Sequence, residues 1–484
     1  MPLASEHVVS SEEPSRASLT EGDLLVPMVA LAWPMVVIQL LQVAYNVADT
    51  AFLGAVSADA VAALSLAFPL VFLLISVGGG FTAAGAILVA QYTGAGSRRD
   101  ADRIAAQTLS FVTIVAVGIG VAGYFLTDPM LGLLPAEGAT RDRIVPLAAD
   151  YMRIYFLGMP FLFGFYVFVS LMRGFGDTRT PMRVMIVSVA VNVVLDPILI
   201  FGLGPVPRLE VEGAAIATVF SRFVATAIGL YILFGTDAGP TMRYPDLVPN
   251  RSDVSDIVKL GVPSAVEQSA SSLAFVVLTA FVVTFSPAVV AAYGLGNRIV
   301  SLVFLPAMGL SQAVDTVVGQ NLGAEHPARA RRASRVAMVG TAGVMTVLTG
   351  IVLLIPDSIA GVFLTAADTA DALAFSVDYL TIAALMFVPM GVLQILLGTF
   401  RGAGRTTTAM LLSVATLWGI RVPATYLLAF TLGWAETGLW VAVVLGDAVG
   451  CLLALAWFRF GSWDRKIVDA DASSTSGPSV AAED

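Results

Sequence analysis

The sequence predicts an all-α polytopic membrane protein with twelve transmembrane helices in two pseudo-symmetric six-helix bundles. Three observations lead to this fold class. Hydrophobic residues make up 57% of the 484 residues and charged ones only 13%, whereas soluble domains carry about 25% charged residues. Apolar runs long enough to span a bilayer recur along the whole chain. Motifs of the first half return in the second half at a nearly constant spacing.

The apolar runs define the helices. A span needs about 20 mostly apolar residues. Several runs exceed that length, so tilted or protruding helices are expected. The rule predicts twelve helices, in order at residues 24–54, 59–93, 104–126, 145–172, 181–203, 212–235, 255–285, 288–321, 333–355, 372–400, 407–432 and 436–460.

The chain repeats itself. VAQYTGAGSRRDADR at 89–103 matches VGQNLGAEHPARARR at 318–332, and the RGFGDT loop from Arg173 matches the RGAGRT loop from Arg401. Matched positions stay between 225 and 229 residues apart. Six helices are therefore predicted to be duplicated in the same membrane orientation, because six is even. Two such lobes face each other across an axis along the membrane normal, with a cleft between them.

Polar segments divide the chain around these lobes. The two ends are rich in Ser, Ala and acidic residues, a composition typical of disorder. The longest polar loop lies between the halves. The predicted organisation is a disordered cytoplasmic tail at 1–23, an N-terminal lobe at 24–235, a cytoplasmic inter-lobe loop at 236–254, a C-terminal lobe at 255–460 and a disordered cytoplasmic tail at 461–484.

The basic residues predict the orientation. The tails and the loops after even-numbered helices hold 19 Lys and Arg residues, whereas the opposite loops and their edges hold four. Short cytoplasmic loops carry the excess of basic residues. We therefore expect a multi-pass protein of the plasma (inner) membrane with both termini in the cytoplasm.

Composition excludes several classes of site. Two His and one Cys argue against a Cys/His metal site. No basic patch is concentrated enough for nucleic-acid binding, and no nucleophile–base pair or His-rich site indicates an enzyme. The lipid bilayer is an expected partner, and a monomer is expected.

The first predicted helix carries a polar stripe. Gln39, Gln42, Asn46 and Asp49 follow a spacing of 3, 4 and 3, which places them on one helical face. A stripe of this kind cannot face lipid, so it lines a cavity or another helix.

The fifth predicted helix carries a carboxylate at bilayer depth. Asn192 and Asp196 lie four residues apart on one face, Pro197 removes a backbone donor beside them, and Thr218 lies on the sixth helix. Intramembrane acids are costly and are usually functional. Asp49, Asn192, Asp196 and Thr218 suit a proton site or a Na⁺ site made of oxygen ligands. The alternative is a polar network that only joins helices 1, 5 and 6.

The second half does not repeat this acidic pattern, but it has polar residues of its own. Asp315 lies deep enough for a functional role, whereas Glu267 is nearer the cytoplasmic end and could simply be solvated. Arg222 and Asp447 occupy equivalent positions in the two halves, and structural pairing with a neighbour is expected for both. The further cavity or substrate candidates are Glu267, Gln268, Gln312, Asp315 and Gln394.

These motifs resemble the multidrug and toxic compound extrusion (MATE) family over residues 24–460. The match rests on NVADTAFLG around Asp49, RGFGDTRTP, NVVLDPILIFG, GAAIAT around Thr218 and VGQNLGA. The acidic pair in the first half is most similar to the prokaryotic DinF-like branch. The resemblance implies an antiporter that exports drugs, often cationic, against H⁺ or Na⁺. It also implies coupling through Asp49, Asn192, Asp196 and Thr218, with no cofactor besides the coupling ion.

Two other functions compete with multidrug efflux by alternating access. A lipid-linked saccharide flippase shares the superfamily fold, but its cavity would need more cations than the three intramembrane arginines Arg222, Arg298 and Arg421. A membrane-embedded enzyme has no support among the residues.

Overall fold

Twelve membrane-crossing helices account for the fold of the computed structural model, which describes residues 19–132, 138, 140–363 and 370–468. Within these ranges the regular structure is entirely helical. The helices are α1 Leu25–Val56, α2 Ala58–Gly94, α3 Arg98–Gly132, α4 Thr140–Leu157 continued by Met159–Phe175, α5 Arg179–Phe201, α6 Glu210–Gly235, α7 Arg251–Val282, α8 Pro287–Gly323, α9 Pro327–Leu354, α10 Asp371–Gly402, α11 Thr406–Thr431 and α12 Ala435–Phe460.

The predicted helix count is confirmed, with one difference in shape. Eleven described helices are long and apolar enough to cross a membrane alone, and the two-part α4 completes the twelve. The parts of α4 meet at a bend of 54°, whereas one continuous helix was predicted over 145–172. Pro160 explains the bend because it has no N–H to continue the helical ladder beyond Gly158.

Close backbone contacts join the two lobes. α1 and α2 of the first lobe pack on α7 and α8 of the second. A Cβ atom at Gly94 would collide with the carbonyl oxygen of Gln320, and one at Gly323 would collide with that of Gln91. The helices cross here at backbone distance because neither glycine carries a side chain.

Two glutamines bind across the lobes at the end of the bundle that carries both termini. Gln91 Nε2 donates to the carbonyl oxygen of Gly402 at 3.0 Å, and Gln320 Nε2 donates to that of Gly174 at 3.0 Å. Gln91 matches Gln320 and Gly174 matches Gly402 in the sequence repeat. The duplication therefore yields a reciprocal pair of bonds, which we name the glutamine latch (Gln91–Gly402 and Gln320–Gly174).

The described parts of both tails pack on this end of the bundle, which differs from the disorder predicted for 1–23 and 461–484. Asn321 Nδ2 donates to the carbonyl oxygen of Leu19 at 3.0 Å. Trp463 is fully buried, and the Ile467 N–H donates to Gln91 Oε1 at 3.0 Å. The apolar area of Trp463 and Val468 explains the docking. The rest of each tail lies outside the described residues.

The inter-lobe segment before Arg251 docks on α3. Gln107 Nε2 donates to the carbonyl oxygens of Asp246 and Val248 at 2.5 and 2.7 Å, and Gln107 Oε1 accepts the Asn250 N–H at 2.7 Å. Hydrogen bonds from the Arg99 guanidinium hold the pKa of the Asp246 carboxyl below its usual range. A lowered folded-state pKa means that this ion pair is intact at neutral pH and is lost in acid, as the pH falls through that pKa.

Gln107→Ala should release this segment. Three hydrogen bonds disappear, which together contribute about 2 kcal/mol, so the open population should rise roughly 30-fold. The measurement is the rate of tryptic cleavage after Arg243 in the purified protein. Asp256→Ala, which removes only an exposed ion pair with Lys259, serves as the control. Equal cleavage rates for Gln107→Ala and the wild type would contradict this role for Gln107.

Candidate ion-coupling site and cavity

Three helices converge on the polar residues predicted for ion coupling. Asp49 lies on the C-terminal half of α1, Asn192 and Asp196 lie on α5, and Thr218 lies on α6. α5 and α6 can approach closely because Gly213 packs against the backbone of Leu199, where a Cβ atom would collide. All four side chains are buried, and Asn192 and Asp196 are fully so.

The four side chains form one hydrogen-bonded network. With its nitrogen facing the acids, the Asn192 amide donates to Asp49 Oδ1 at 3.3 Å and to Asp196 Oδ2 at 3.2 Å. This orientation follows from the surrounding acceptors. Thr218 Oγ1 donates to Asp49 Oδ2 at 3.5 Å, and Tyr45 Oη donates to Thr218 Oγ1 at 2.6 Å. Tyr45 was not among the predicted residues, although it lies one turn before Asp49 on the same stripe.

The two carboxyl groups are neighbours, because the same Asn192 nitrogen lies 3.3 Å from Asp49 Oδ1 and 3.2 Å from Asp196 Oδ2. A hydrogen bond between Asp49 and Asp196 requires one proton, because two carboxylates offer only acceptors. The geometry therefore suits a pair that holds a proton between them.

The same donor set could hold a hard cation only after a rearrangement. Two carboxylates, an amide oxygen and a hydroxyl are suitable ligands for Na⁺. When the Asn192 nitrogen is assigned toward both acids, as the surrounding acceptors require, its oxygen does not face the space between them. Cation binding would require this amide to rotate, whereas proton binding would not.

A cavity of about 800 Å³ lies beside the network, in the half of the bundle opposite the glutamine latch. Asp49 is part of its wall, so the acid pair and the contents of the cavity are adjacent. Gln42 and Asn46 also line it, as the α1 stripe predicted. Its aromatic lining consists of Tyr45, Phe68, Phe72, Tyr151, Tyr155 and Tyr166.

Arg222 of α6 lies in the cavity wall and links it to α1. Its Nη2 donates to Gln42 Oε1 at 2.6 Å, and its guanidinium carbon lies 5.1 Å from the centroid of the Tyr45 ring. No carboxylate lies within 4.0 Å of it in the described part of the chain. The predicted structural pairing is confirmed for Asp447, which binds Arg421 at 2.5 Å, but Arg222 pairs with an amide and not with an acid.

The remaining candidates do not line this cavity. Gln39 Nε2 contacts the Met308 sulfur at 3.6 Å across the lobe interface, and Gln268 packs against Gly79. The backbone carbonyl oxygens of Gln312 and Gln394 accept hydrogen bonds from the hydroxyl groups of Thr316 and Ser311, respectively.

Asp315 and Glu267 lie on the latch side of the bundle. Asp315 forms an ion pair of 3.5 Å with Arg173 of the other lobe. Glu267 is only 6% exposed, so the expectation that it is solvated is wrong. Both acids belong to the closed interface between the lobes and not to the cavity.

Comparisons with known proteins agree with this architecture. The MatE family model matches residues 34–198 and again 263–427, as expected of duplicated lobes. The chain is 31% identical over 414 residues to the probable multidrug resistance protein YoeA of Bacillus subtilis (strain 168), covering 84% of this chain and 87% of that protein. It is 28% identical over 379 residues to an FAD transporter of Shewanella oneidensis, covering 78% and 82%.

The fold matches a solved structure described as the outward-facing conformation of a multidrug resistance MATE family transporter of the MOP superfamily. The TM-score is 0.85 at 25% sequence identity, covering 92% of this chain and 97% of that one. The family model matches most of the chain in two copies, and the solved structure carries the same twelve-helix fold. The chain therefore belongs to the MATE family of membrane transporters.

Proposed function

We propose that this protein is a multidrug exporter that moves amphipathic organic compounds out of the cell in exchange for inward-moving protons, by alternating access. The observation that carries the proposal is that one acid of the pair lines the cavity. Asp49 shares the Asn192 amide with Asp196 and also belongs to the lining of the cavity. A proton on the pair and a charged substrate in the cavity therefore act on the same carboxylate.

Mutual exclusion of ion and substrate follows from this position. When both acids are ionised, their repulsion in a desolvated site favours separation of α1 from α5. When a proton is shared, Asn192 and Thr218 can hold the compact network that the structure shows. The proton and the substrate each shift the equilibrium between the separated and the compact arrangement only if they bind the two with different affinity. Exchange of one for the other requires this difference.

Protons are favoured over Na⁺ because the hydrogen bonds assigned to the Asn192 amide are satisfied with a proton and without a further rotation of that amide. Na⁺ remains the competing coupling ion. A lipid-linked saccharide flippase is not favoured, since relatives such as YoeA are named multidrug resistance proteins. The relative named an FAD transporter suggests that acidic aromatic compounds also fall within the range of this fold.

The closed latch and the opposite cavity support one membrane orientation. The glutamine latch seals the end that carries both termini and most of the basic residues. By the positive-inside rule this end is cytoplasmic, which makes the structure an outward-facing state. We place the protein in the plasma (inner) membrane as a monomer.

Inverted membrane vesicles provide the test. Their lumen corresponds to the cell exterior, so an acidic lumen should drive accumulation of rhodamine dyes, whereas a lumen rich in Na⁺ at equal pH should not. Vesicles without the protein are the control. Accumulation driven by Na⁺ alone would overturn the proton assignment, and no accumulation under either gradient would overturn the proposed function.

A further inference from the structure

We infer that the cavity contains an anion subsite, made by Arg222 and Arg298, which selects zwitterionic aromatic compounds over purely cationic ones. The cationic group of such a compound would face Asp49, and its carboxylate would face the arginines. This inference rests on the proposed function, because it names the substrate class of the same cavity.

Arg222 is the first part of the subsite. It is 2% exposed and lines the cavity, yet it has no carboxylate within 4.0 Å among the described residues. Its two Nη atoms contact Gln42 and the Met185 sulfur, and its Nε has no hydrogen-bond partner. A buried guanidinium without a counter-ion is costly. A ligand carboxylate would remove that cost, and the planar fork of Arg suits such a group.

Arg298 is the second part. It comes from α8 of the other lobe, is exposed, and makes no ion pair in the described ranges. Arg222 and Arg298 therefore place two cations from different lobes on one cavity. A carboxylate between them would attract both lobes toward the substrate.

The acids do not cancel this charge. Asp196 is fully buried and does not line the cavity, and Asp49 is engaged with Asn192 and Thr218. Among the described residues that line the cavity, Asp49 alone carries a negative charge, against the two positive charges of the arginines. A pure cation would meet net repulsion, whereas a zwitterion could satisfy both sets of groups.

The aromatic wall accounts for the flat part of the substrate. Phe68 and Phe72 stack on each other with centroids 6.1 Å apart and are both exposed. Tyr151 and Tyr155 stack on another side of the cavity at 5.8 Å. Planar ring systems stack well on such surfaces. Stacking gives affinity for many ring systems, while the arginines give the charge preference.

Rhodamine B and its ethyl ester test the subsite, because they share a ring system and differ in one acidic group. Rhodamine B is a zwitterion at neutral pH, and its ethyl ester is a cation. Fluorescence polarisation of the full-length protein in nanodiscs should give a Kd about tenfold lower for rhodamine B. Arg298→Gln and Arg222→Gln should each bring the two Kd values close to each other, while Arg222→Lys should keep part of the preference.

Arg208→Gln is the matched control, since Arg208 lies outside the cavity and pairs with Glu210. Arg298 is exposed, so its variant keeps the test decisive even if Arg222→Gln fails to fold. Equal or tighter binding of the ethyl ester by the wild type, or an unchanged ratio in Arg298→Gln, would overturn the subsite. Binding is measured without an ion gradient, so failure of gradient-driven transport would count against the proposed function and not against the subsite.

Discussion

Asp196→Asn should abolish proton-driven export while leaving the helical bundle folded. Asp196 is fully buried and bonds to Asn192, and an Asn of nearly the same shape can still accept that hydrogen bond. It cannot ionise, so the repulsion that separates α1 from α5 is lost. If the proton has the same affinity for both conformations, the proton gradient cannot shift the equilibrium between them. We therefore expect export to fall roughly 100-fold.

The measurement is dye accumulation in inverted vesicles with an acidic lumen, together with thermal unfolding of the purified variant. Asp128→Asn is the control, because Asp128 is an exposed acid that pairs with Arg153 away from the network. A melting temperature close to the wild-type value is expected for both variants. Export at the wild-type rate in Asp196→Asn would remove Asp196 from the coupling mechanism.

The helix count and the acid network could be predicted because both depend on local pattern. A long enough apolar run predicts a membrane span, and residues spaced three or four positions apart are predicted to lie on one face of a helix. Asp49, Asn192 and Asp196 are therefore assigned to helix faces by sequence alone. The prediction that these residues meet rests on a second argument: a carboxylate at bilayer depth is tolerated only in the protein interior. This argument does not depend on how the helices are connected.

The residues whose positions were predicted wrongly are those whose surroundings depend on packing between helices that are distant in the sequence. Gln312 and Asp315 form a stripe on α8 that resembles the one on α1, but Asp315 pairs with Arg173 of the other lobe, which places this part of α8 in the closed interface. Arg222 could not be recognised as a cavity residue because its partners come from α1 and from α5. The bend of α4 did have a local signal, in the proline two residues after Gly158.

Gln91→Ala combined with Gln320→Ala should open the end of the bundle that the glutamine latch closes. Each amide is buried and supplies the hydrogen bond of a glycine carbonyl on the other lobe. Removing a partner from a buried carbonyl costs about 1–3 kcal/mol, and the two sites act on the same interface. We expect the double variant to shift the equilibrium by about 3 kcal/mol, or roughly 150-fold.

The two single variants should differ. Gln91 also accepts a hydrogen bond from the Ile467 N–H, so Gln91→Ala loses a bond to the C-terminal segment as well as its latch bond. Gln320→Ala loses only the bond to Gly174. The pseudo-symmetry of the latch is thus broken by the C-terminal segment, and Gln91→Ala should open this end of the bundle more often.

Spin labels on the two lobes measure the opening. Arg183→Cys on α5 and Arg332→Cys on α9 provide exposed sites, in a Cys451→Ala background that removes the buried native thiol. The wild type should give one short distance, and the latch variants should add a longer one. Gln107→Ala is the matched control, because it removes buried amide bonds from the inter-lobe segment and leaves the latch intact. If the double variant keeps the wild-type distance distribution, closure instead depends on the Arg173–Asp315 pair and the glycine contacts of α2 and α8.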